Sequence, residues 1–148
     1  MKKIYVIILS ILLLNHLSSA TEIVKDGEAY PIEKIREQNQ VIIKMVVEEI
    51  SKSLPQKVDS YTTMTQISDK NLTLIYTFEI NTTKSDEKIR KEDQSRMEKS
   101  VQKGICQSSK RFLDAGISLA YSYISTLSKK ELFTFHINQK KCKELNND

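Results

Sequence analysis

Glycine, tryptophan and histidine are scarce in this chain of 148 residues, which has three glycines, no tryptophan and two histidines. With so few glycines there is no loop of the kind that cradles a phosphate, and no nucleotide or dinucleotide motif occurs. His136 is the only histidine beyond residue 20, and no nucleophile pairs with it, so a serine or cysteine triad cannot be assembled. The inventory predicts a protein that is not an enzyme and that has no cofactor.

Three pairs of adjacent carboxylates are the other candidates for acid–base chemistry: Glu48-Glu49, Asp86-Glu87 and Glu92-Asp93. Neighbouring residues of a helix point about 100 degrees apart, and each pair lies among lysines and arginines. Nothing in this pattern indicates the burial that raises a carboxyl pKa for acid catalysis. We expect these pairs on solvated helix faces, and His136 on the exposed side of a strand.

The first twenty residues have the organisation of a secretory signal peptide. Lys2 and Lys3 form a short basic start, residues 4–14 are almost wholly apolar, and Ser18-Ser19-Ala20 places small residues where a signal peptidase reads them. The apolar run is too short to span a bilayer as a stable anchor, and no cysteine lies near the cleavage point to carry a lipid. The alternative is an uncleaved N-terminal anchor. We predict cleavage near Ala20 and a periplasmic or secreted product.

Cleavage leaves residues 21–148, a length that suits one α+β domain with a modest core, ordered over about residues 31–142. Loss of Lys2 and Lys3 lowers the formal net charge from +4 to +2. A charge this small argues against nucleic acid as a partner, because phosphate contacts need clustered lysines and arginines. No later segment is apolar enough to cross a membrane, so we expect no membrane span after cleavage.

Two helices are predicted from apolar spacing and from their end signals. Between residues 32 and 53 apolar side chains recur at helical spacing, which predicts an amphipathic helix with one buried face. Pro31 suits its first position, and Leu54-Pro55 ends it because a residue before proline avoids helical dihedrals. Ser85 is placed to cap a second helix, and Gly116 supplies the C-terminal stop of that helix.

Strands are predicted from alternation of apolar and polar side chains. Residues 72–80 alternate cleanly, and the segment 57–67 forms a hairpin with them through a turn at residues 68–71. Residues 117–123 alternate in the same way, and a further strand follows at 133–137. The order helix, strand, strand therefore occurs twice.

The two alternating strands match residue by residue: Leu72-Thr73-Leu74-Ile75-Tyr76-Thr77-Phe78 and Ile117-Ser118-Leu119-Ala120-Tyr121-Ser122-Tyr123. Either the chain contains an internal duplication, or both segments satisfy the same period of two. In both cases we predict an α+β fold of order αββαββ, with a four-stranded antiparallel sheet and two helices packed on one face.

Cys106 and Cys142 are the only cysteines. In an exported protein two cysteines most simply form one disulfide. The alternatives are a reactive thiol or a metal pair, but a redox motif places its cysteines two residues apart, and a metal site needs more ligands than one nearby histidine. We predict a structural disulfide and no metal site.

Six aromatic residues lie on the predicted strands: Tyr76, Phe78, Tyr121, Tyr123, Phe133 and Phe135. One interpretation is a core between sheet and helices. The other is that Tyr76, Tyr121 and Tyr123 line a groove for a peptide or a small apolar ligand, with their hydroxyls at its mouth. A sheet with an available edge also offers binding by strand addition.

Two sets of residues carry a resemblance to known proteins. They are Leu54-Pro55, Val58-Asp59, Thr62 and Met64 ahead of a tyrosine strand, and Cys106, Gly116, Leu119, Tyr121, Tyr123 and Cys142. With these motifs the chain resembles small exported bacterial proteins of no assigned activity. The resemblance implies a periplasmic or secreted α+β domain and carries over no catalytic residue. Secretion-system pilotins, which include lipoproteins, also contain small disulfide-bonded α/β domains, an analogy of fold alone.

From these observations we expect a non-enzymatic interaction module with a protein partner in the envelope or outside the cell. The alternatives are a small apolar-ligand carrier with an aromatic pocket, an enzyme inhibitor, and a hydrolase. The poor inventory of catalytic residues disfavours the hydrolase.

Overall fold

The computed structural model describes residues 31–145 of the chain. Contacts between residues divide the chain into a unit of Met1–Ile35 and a unit of Arg36–Asp148. Apart from residues 32–35 of the first helix, all the described helices and strands belong to the second unit. The predicted signal peptide and its cleavage near Ala20 lie outside the described residues and stay predictions.

Within the described residues the chain forms four helices and five strands. Their order is α1 Ile32–Ser51, β1 Gln56–Lys57, β2 Thr62–Lys70, β3 Thr73–Ile80, α2 Asp86–Ser108, α3 Lys110–Asp114, β4 Ser118–Ser125, β5 Glu131–Ile137 and α4 Gln139–Leu145. The α+β class is confirmed. The prediction of four strands and two helices is corrected, because β1 adds a fifth strand at one edge, the predicted second helix is divided at Ser109 into α2 and α3, and α4 is a further short helix.

The sheet has the order β1-β2-β3-β4-β5, and its central pair is parallel. Every other neighbouring pair is antiparallel, so the prediction of a fully antiparallel sheet is wrong at β3–β4. The physical reason is α2, which at 23 residues is about 35 Å long. A helix of this length returns the chain to the end where β3 began, and a strand entered from that end pairs in parallel.

The hairpin between β2 and β3 turns later than the polar residues suggest. β2 continues to Lys70, and the two turn residues are Asn71 and Leu72, with φ of 48° and 60°. Two-residue hairpin turns of type I′ need positive φ at both central positions. Asn tolerates this conformation well, whereas leucine does so rarely. Leu72 is partly buried against the core, so its packing offsets the unfavourable backbone.

The ends of α2 and α3 follow the predicted signals. The Ser85 Oγ accepts a hydrogen bond from the backbone N–H of Lys88 at 3.3 Å, as an N-cap does. Gly116 has φ of +85°, and the N–H of Ile117 donates to the Phe112 carbonyl at 2.9 Å. This left-handed residue after the last helical turn satisfies a carbonyl that the helix leaves free.

Both long helices pack on the same face of the sheet. In one core cluster Ile43 of α1 joins Leu74 of β3, and in the other Ile89 of α2 joins Phe78 of β3. Leu74 and Phe78 are four residues apart on one strand, so they point to the same side. The hydrophobic core therefore lies between one face of the sheet and the two helices.

A disulfide between Cys106 of α2 and Cys142 of α4 holds the C-terminal helix against the fold, with Cα atoms 5.5 Å apart. Lys141 of α4 also donates to Glu98 of α2, with the Nζ and Oε1 atoms 3.0 Å apart. The residues after β5 thus form a docked helix up to Leu145, which extends beyond the ordered core of about residues 31–142 that the sequence predicted.

We expect Gly116→Ala and Gly104→Ala to change stability in opposite directions. Beyond its chain neighbours, no atom lies within 4 Å of the Cβ position at either glycine, so neither alanine clashes. At Gly116 the positive φ costs an alanine about 1 kcal/mol, which lowers the free energy of unfolding. At Gly104, inside α2, alanine is favoured over glycine by about 1 kcal/mol. Chemical denaturation measures both, and a stabilising Gly116→Ala would contradict the left-handed turn.

We expect the double substitution Cys106→Ser and Cys142→Ser to destabilise the protein by about 4 kcal/mol on the chain-entropy model. The two cysteines are 36 residues apart, so the bond restricts a long loop of the unfolded chain. Thermal unfolding of oxidised protein, reduced protein and the double variant measures the effect. Equal stability of all three forms would show that the disulfide contributes nothing.

Candidate functional site

An open groove of about 760 Å³ lies at the end of the sheet where β2 begins and β3 ends. Five parts of the chain line it: the loop before β2, the start of β2, the segment Ile80–Lys84 after β3, the first half of α2, and the turn between β4 and β5. The groove therefore depends on the completed fold, since no single segment forms it.

The groove has an apolar floor and two exposed hydrophobic side chains at its rim. Ile80 and Ile89 are buried, and Met97 of α2 is half-buried beside them. At the rim, Tyr61 is 66% exposed and Leu127 is 68% exposed. Single exposed hydrophobic residues are ordinary on a protein surface, but two that border the same apolar concavity indicate a contact surface.

Tyr61 is exposed, yet its backbone is fixed on both sides. The Asp59 Oδ1 accepts hydrogen bonds from the N–H groups of Tyr61 and Thr62, at 2.7 and 2.8 Å. The Tyr61 carbonyl accepts from the N–H of Asn81 at 2.7 Å, which ties this loop to the segment after β3. The pKa of Asp59 is lowered, mainly by the hydrogen bond from the Tyr61 N–H. The carboxylate that holds this turn therefore stays ionised at neutral pH.

The turn that carries Leu127 is held in a similar way. The N–H of Thr126 and its Oγ1 both donate to the Ile80 carbonyl, at 3.0 and 2.8 Å. The Ser128 Oγ donates to the Asp86 carboxylate at 2.6 Å, which links the turn to the start of α2. Because both rim residues sit on fixed backbone, little ordering of the protein is needed when a ligand contacts them.

One wall of the groove carries a small group of opposite charges. The Asp93 carboxylate accepts from Arg96 at 2.9 Å and from Lys84 at 3.3 Å. The hydrogen bond from Arg96 is the main cause of a lowered pKa at Asp93, and the bond to Glu92 is the main cause of a raised pKa at Lys84. Apart from Tyr61 and Leu127, the rim is thus polar and nearly balanced in charge, around an apolar floor.

The tyrosines singled out from the sequence lie on the helix-covered face of the sheet. Tyr123 is 5% exposed, whereas Tyr76 and Tyr121 are partly buried and pack against both core clusters. The rings stack, with centroids 5.1 Å apart for Tyr76 and Tyr121 and 5.1 Å apart for Phe78 and Tyr123. They do not line the groove at the strand ends. Their role as a ligand or partner surface stays a prediction.

The remaining candidates lie apart from the groove or on its polar wall. His136 is exposed, and it lies on the face of the sheet opposite the two long helices. In the described part of the chain, no three His, Cys, Asp or Glu side chains are grouped so as to hold a metal ion. None of the helices between residues 31 and 145 has the length and apolar character needed to cross a bilayer.

Tyr61 and Leu127 were missed by reasoning from the sequence. Tyr61 stood in a segment assigned to a strand, and Leu127 stood in a polar turn, where an isolated hydrophobic residue carries no periodic signal. Asp59 offered the one available clue, because an aspartate two residues before a tyrosine suggests a side-chain-capped turn. The groove itself brings together residues more than sixty positions apart.

We expect the stability of the protein to fall between about pH 10 and pH 12. Burial raises the pKa of Tyr76 and of Tyr123 from 10.0 to about 12, and raises that of Tyr121 as well. The folded state therefore keeps phenol protons that the unfolded chain releases, so the stabilisation is complete below pH 10 and is lost as the pH approaches 12. Chemical unfolding at a series of alkaline pH values measures the loss of stability, and phenolate absorbance measures the ionisation of the tyrosines.

The matched variants for this titration are Tyr123→Phe and Tyr61→Phe. Tyr123→Phe removes a buried phenol and should flatten the fall in stability above pH 10, whereas Tyr61→Phe at the rim should leave it in place. A flat stability profile up to pH 12 in the unsubstituted protein would show that these rings are not buried as described.

Three solved structures share this fold at low sequence identity. A candidate secreted protein from Pseudomonas aeruginosa has a TM-score of 0.64 at 14% identity, over 78% of this chain and 99% of that one. The pilotin EpsS of the Vibrio vulnificus type 2 secretion system has a TM-score of 0.62 at 11% identity, over 74% and 96% of the two chains. The type II secretion system pilotin AspS of Vibrio cholerae has a TM-score of 0.57 at 13% identity, over 76% and 100%.

The likeness to pilotins, noted from the sequence at the level of fold, is confirmed at that level. The disulfide within the described residues points to an exported protein, since such bonds persist in oxidising compartments. No curated protein matches the sequence. Residues 37–133, more than half of the chain, match the family described as "Domain of unknown function (DUF8479)", and the chain therefore belongs to that family.

Proposed function

We propose that this protein is a non-enzymatic interaction module of the periplasm or the extracellular space, which holds a segment of a partner protein in the groove at the strand ends. The observation that carries the proposal is the pair of exposed side chains, Tyr61 and Leu127, on fixed turns at the rim of an apolar floor. Protein interfaces have this composition, with an apolar centre inside a polar rim.

The energetics favour contact with a partner at these two residues. A tyrosine ring and a leucine side chain each contribute about 2 kcal/mol when they pass from exposed to buried, and tyrosine is enriched among the residues that dominate binding energy. Their turns are already ordered by hydrogen bonds to Asp59, Ile80 and Asp86. Most of the free energy gained when the two side chains are buried therefore contributes to affinity.

The fold supports a protein as the partner. Two of the similar structures are pilotins of type 2 secretion systems, and we propose that this chain likewise works with a protein of the cell envelope. A small apolar ligand fits less well, because the rim residues Tyr61, Leu127 and Arg96 are largely exposed. Pockets for small ligands usually enclose most of the ligand surface.

The test is site-specific photocrosslinking in living cells that produce the protein. A photoreactive residue at position 127 should form a discrete crosslinked species with an envelope protein. The same residue at Met45 on α1, which is 58% exposed and lies outside the groove, should not. Crosslinking at position 45 equal to that at position 127, or none at position 127, would contradict the proposal.

Tyr61→Ala should weaken binding of the identified partner at least about tenfold. Because the Tyr61 ring is exposed, the free energy of unfolding should stay within about 0.5 kcal/mol of the original. Val58→Ala, at another exposed hydrophobic residue of the same loop but outside the groove, is the matched control. Isothermal titration calorimetry with the purified partner measures both. Equal losses for the two variants would place the contact elsewhere.

A further inference from the structure

The charges of the described residues are unevenly distributed. Residues 99–114 and 139–145 contain seven basic and two acidic side chains, and we call this region the basic cap. Elsewhere between residues 31 and 145 the basic and acidic side chains are equal in number, thirteen of each. The whole positive excess of the described chain is thus confined to the cap.

The two segments of the basic cap lie together in space. The disulfide joins Cys106 to Cys142, and the Gln139 Nε2 donates to the Asp114 Oδ1 at 3.1 Å. On α2, Lys99 and Lys103 are four residues apart and share the helix side of Cys106. The lysines of α2 and those of α4 therefore border the same covalent link.

Four of the seven basic side chains in the cap form no ion pair with a described carboxylate, although Lys143 lies near enough to Asp114 to help Lys110 lower the pKa of that carboxyl. Ion pairs engage Lys110 with Asp114, Lys140 with Glu144, and Lys141 with Glu98. For the other four, no carboxylate among residues 31–145 comes within ion-pair distance; they are Lys99, Lys103, Arg111 and Lys143, all exposed. A surface with this many unpaired cations attracts an anionic partner.

The basic cap and the groove lie at opposite ends of the sheet. The cap adjoins the start of β4 at Ser118 and the end of β5 at Ile137. The groove adjoins the end of β3 at Ile80 and the β4–β5 turn. The eight residues of β4 separate the two ends by about 26 Å. A partner that contacts the cap therefore leaves the groove free.

We propose that the basic cap binds the surface of an anionic phospholipid bilayer, and that the groove then points away from the membrane. The chemistry favours lipid headgroups over other polyanions. Six of the seven cap cations are lysines, which act as hydrated point charges and suit a diffuse anionic surface, whereas the paired geometry of discrete phosphate or carboxylate sites favours arginine. Leu145, at the outer end of α4 and 38% exposed, adds an apolar contact of the kind that interfacial helices make.

The experiment is co-sedimentation with vesicles of phosphatidylglycerol, and of phosphatidylcholine as the neutral control. The protein is produced as the full chain and purified after export, and its N-terminus is determined by mass spectrometry. We expect binding to the anionic vesicles alone, and its loss when the salt is raised from about 0.05 M to 0.5 M. Absence of binding to phosphatidylglycerol at low salt would overturn the proposal.

The decisive comparison uses two triple variants with the same change in charge. Lys99→Gln, Lys103→Gln and Lys143→Gln remove three unpaired cations from the cap, and partition to anionic vesicles should fall at least about tenfold. The control variant is Lys57→Gln, Lys91→Gln and Lys130→Gln, at exposed lysines outside the cap, and it should retain most of the binding. Both variants have the same N-terminus as the unsubstituted protein. A difference in vesicle binding between them therefore measures the contribution of the cap lysines.

Two outcomes would overturn the assignment of the cap. Equal loss in both variants would show that net charge alone drives adsorption, and an undiminished cap variant would show that another surface binds. Circular dichroism checks that both variants are folded. The test of the groove is independent of the vesicle experiment, because photocrosslinking at position 127 detects a protein partner whether or not the cap variant binds vesicles.

Discussion

The parallel pairing of β3 with β4 is the contact on which the rest of the structure depends. It brings Tyr76 beside Tyr121 and Phe78 beside Tyr123, and the rings continue across β4 to Phe133, whose centroid is 5.1 Å from that of Tyr123. Stacked pairs of this kind add about 0.5–1.5 kcal/mol each beyond the area they bury. This row of packed aromatic rings joins the two halves of the sheet.

The same two strands also provide the surface on which both long helices pack. Near one end, Leu74 and Leu119 meet Ile43 of α1, and nearer the other end Phe78 meets Ile89 of α2. The two core clusters share half-buried Tyr76 and Tyr121 between them. One face of the sheet is thus used by this core, and the groove and the basic cap lie at the two ends of the sheet.

Reasoning from the sequence predicted the strands and their facing residues better than it predicted their directions. The residue-by-residue match of segment 72–78 with segment 117–123 is the register in which the two strands pair, Leu74 with Leu119 and Tyr76 with Tyr121. A period of two identifies faces but contains no information on strand direction. That direction follows from α2. The sequence predicted a helix between Ser85 and Gly116, but neither its end at Ser108 nor its path across the sheet.

The groove was beyond sequence reasoning for a different physical reason. Its floor residues belong to regular elements and read as ordinary core, and its rim residues occupy turns where no pattern repeats. Tyr61 and Leu127 border the same groove because hydrogen bonds join distant segments of the chain, such as the bond from the Asn81 N–H to the Tyr61 carbonyl. The signals for Ser85 and Gly116, by contrast, involve only near neighbours in the chain, and both were predicted.

The crossover that makes β3 and β4 parallel also separates the two proposed surfaces. α2 begins beside the groove, where Asp86 accepts from Ser128, and it ends at Ser108, two residues after Cys106, in the basic cap. Besides the disulfide, polar contacts hold α4 to α2 and α3; the pair of Lys141 with Glu98 is only partly buried, and ion pairs near the surface contribute little in water. The covalent link therefore keeps the lysines of α4 beside those of α2. The single helix α2 thus contributes its first half to the groove and its last turns to the basic cap.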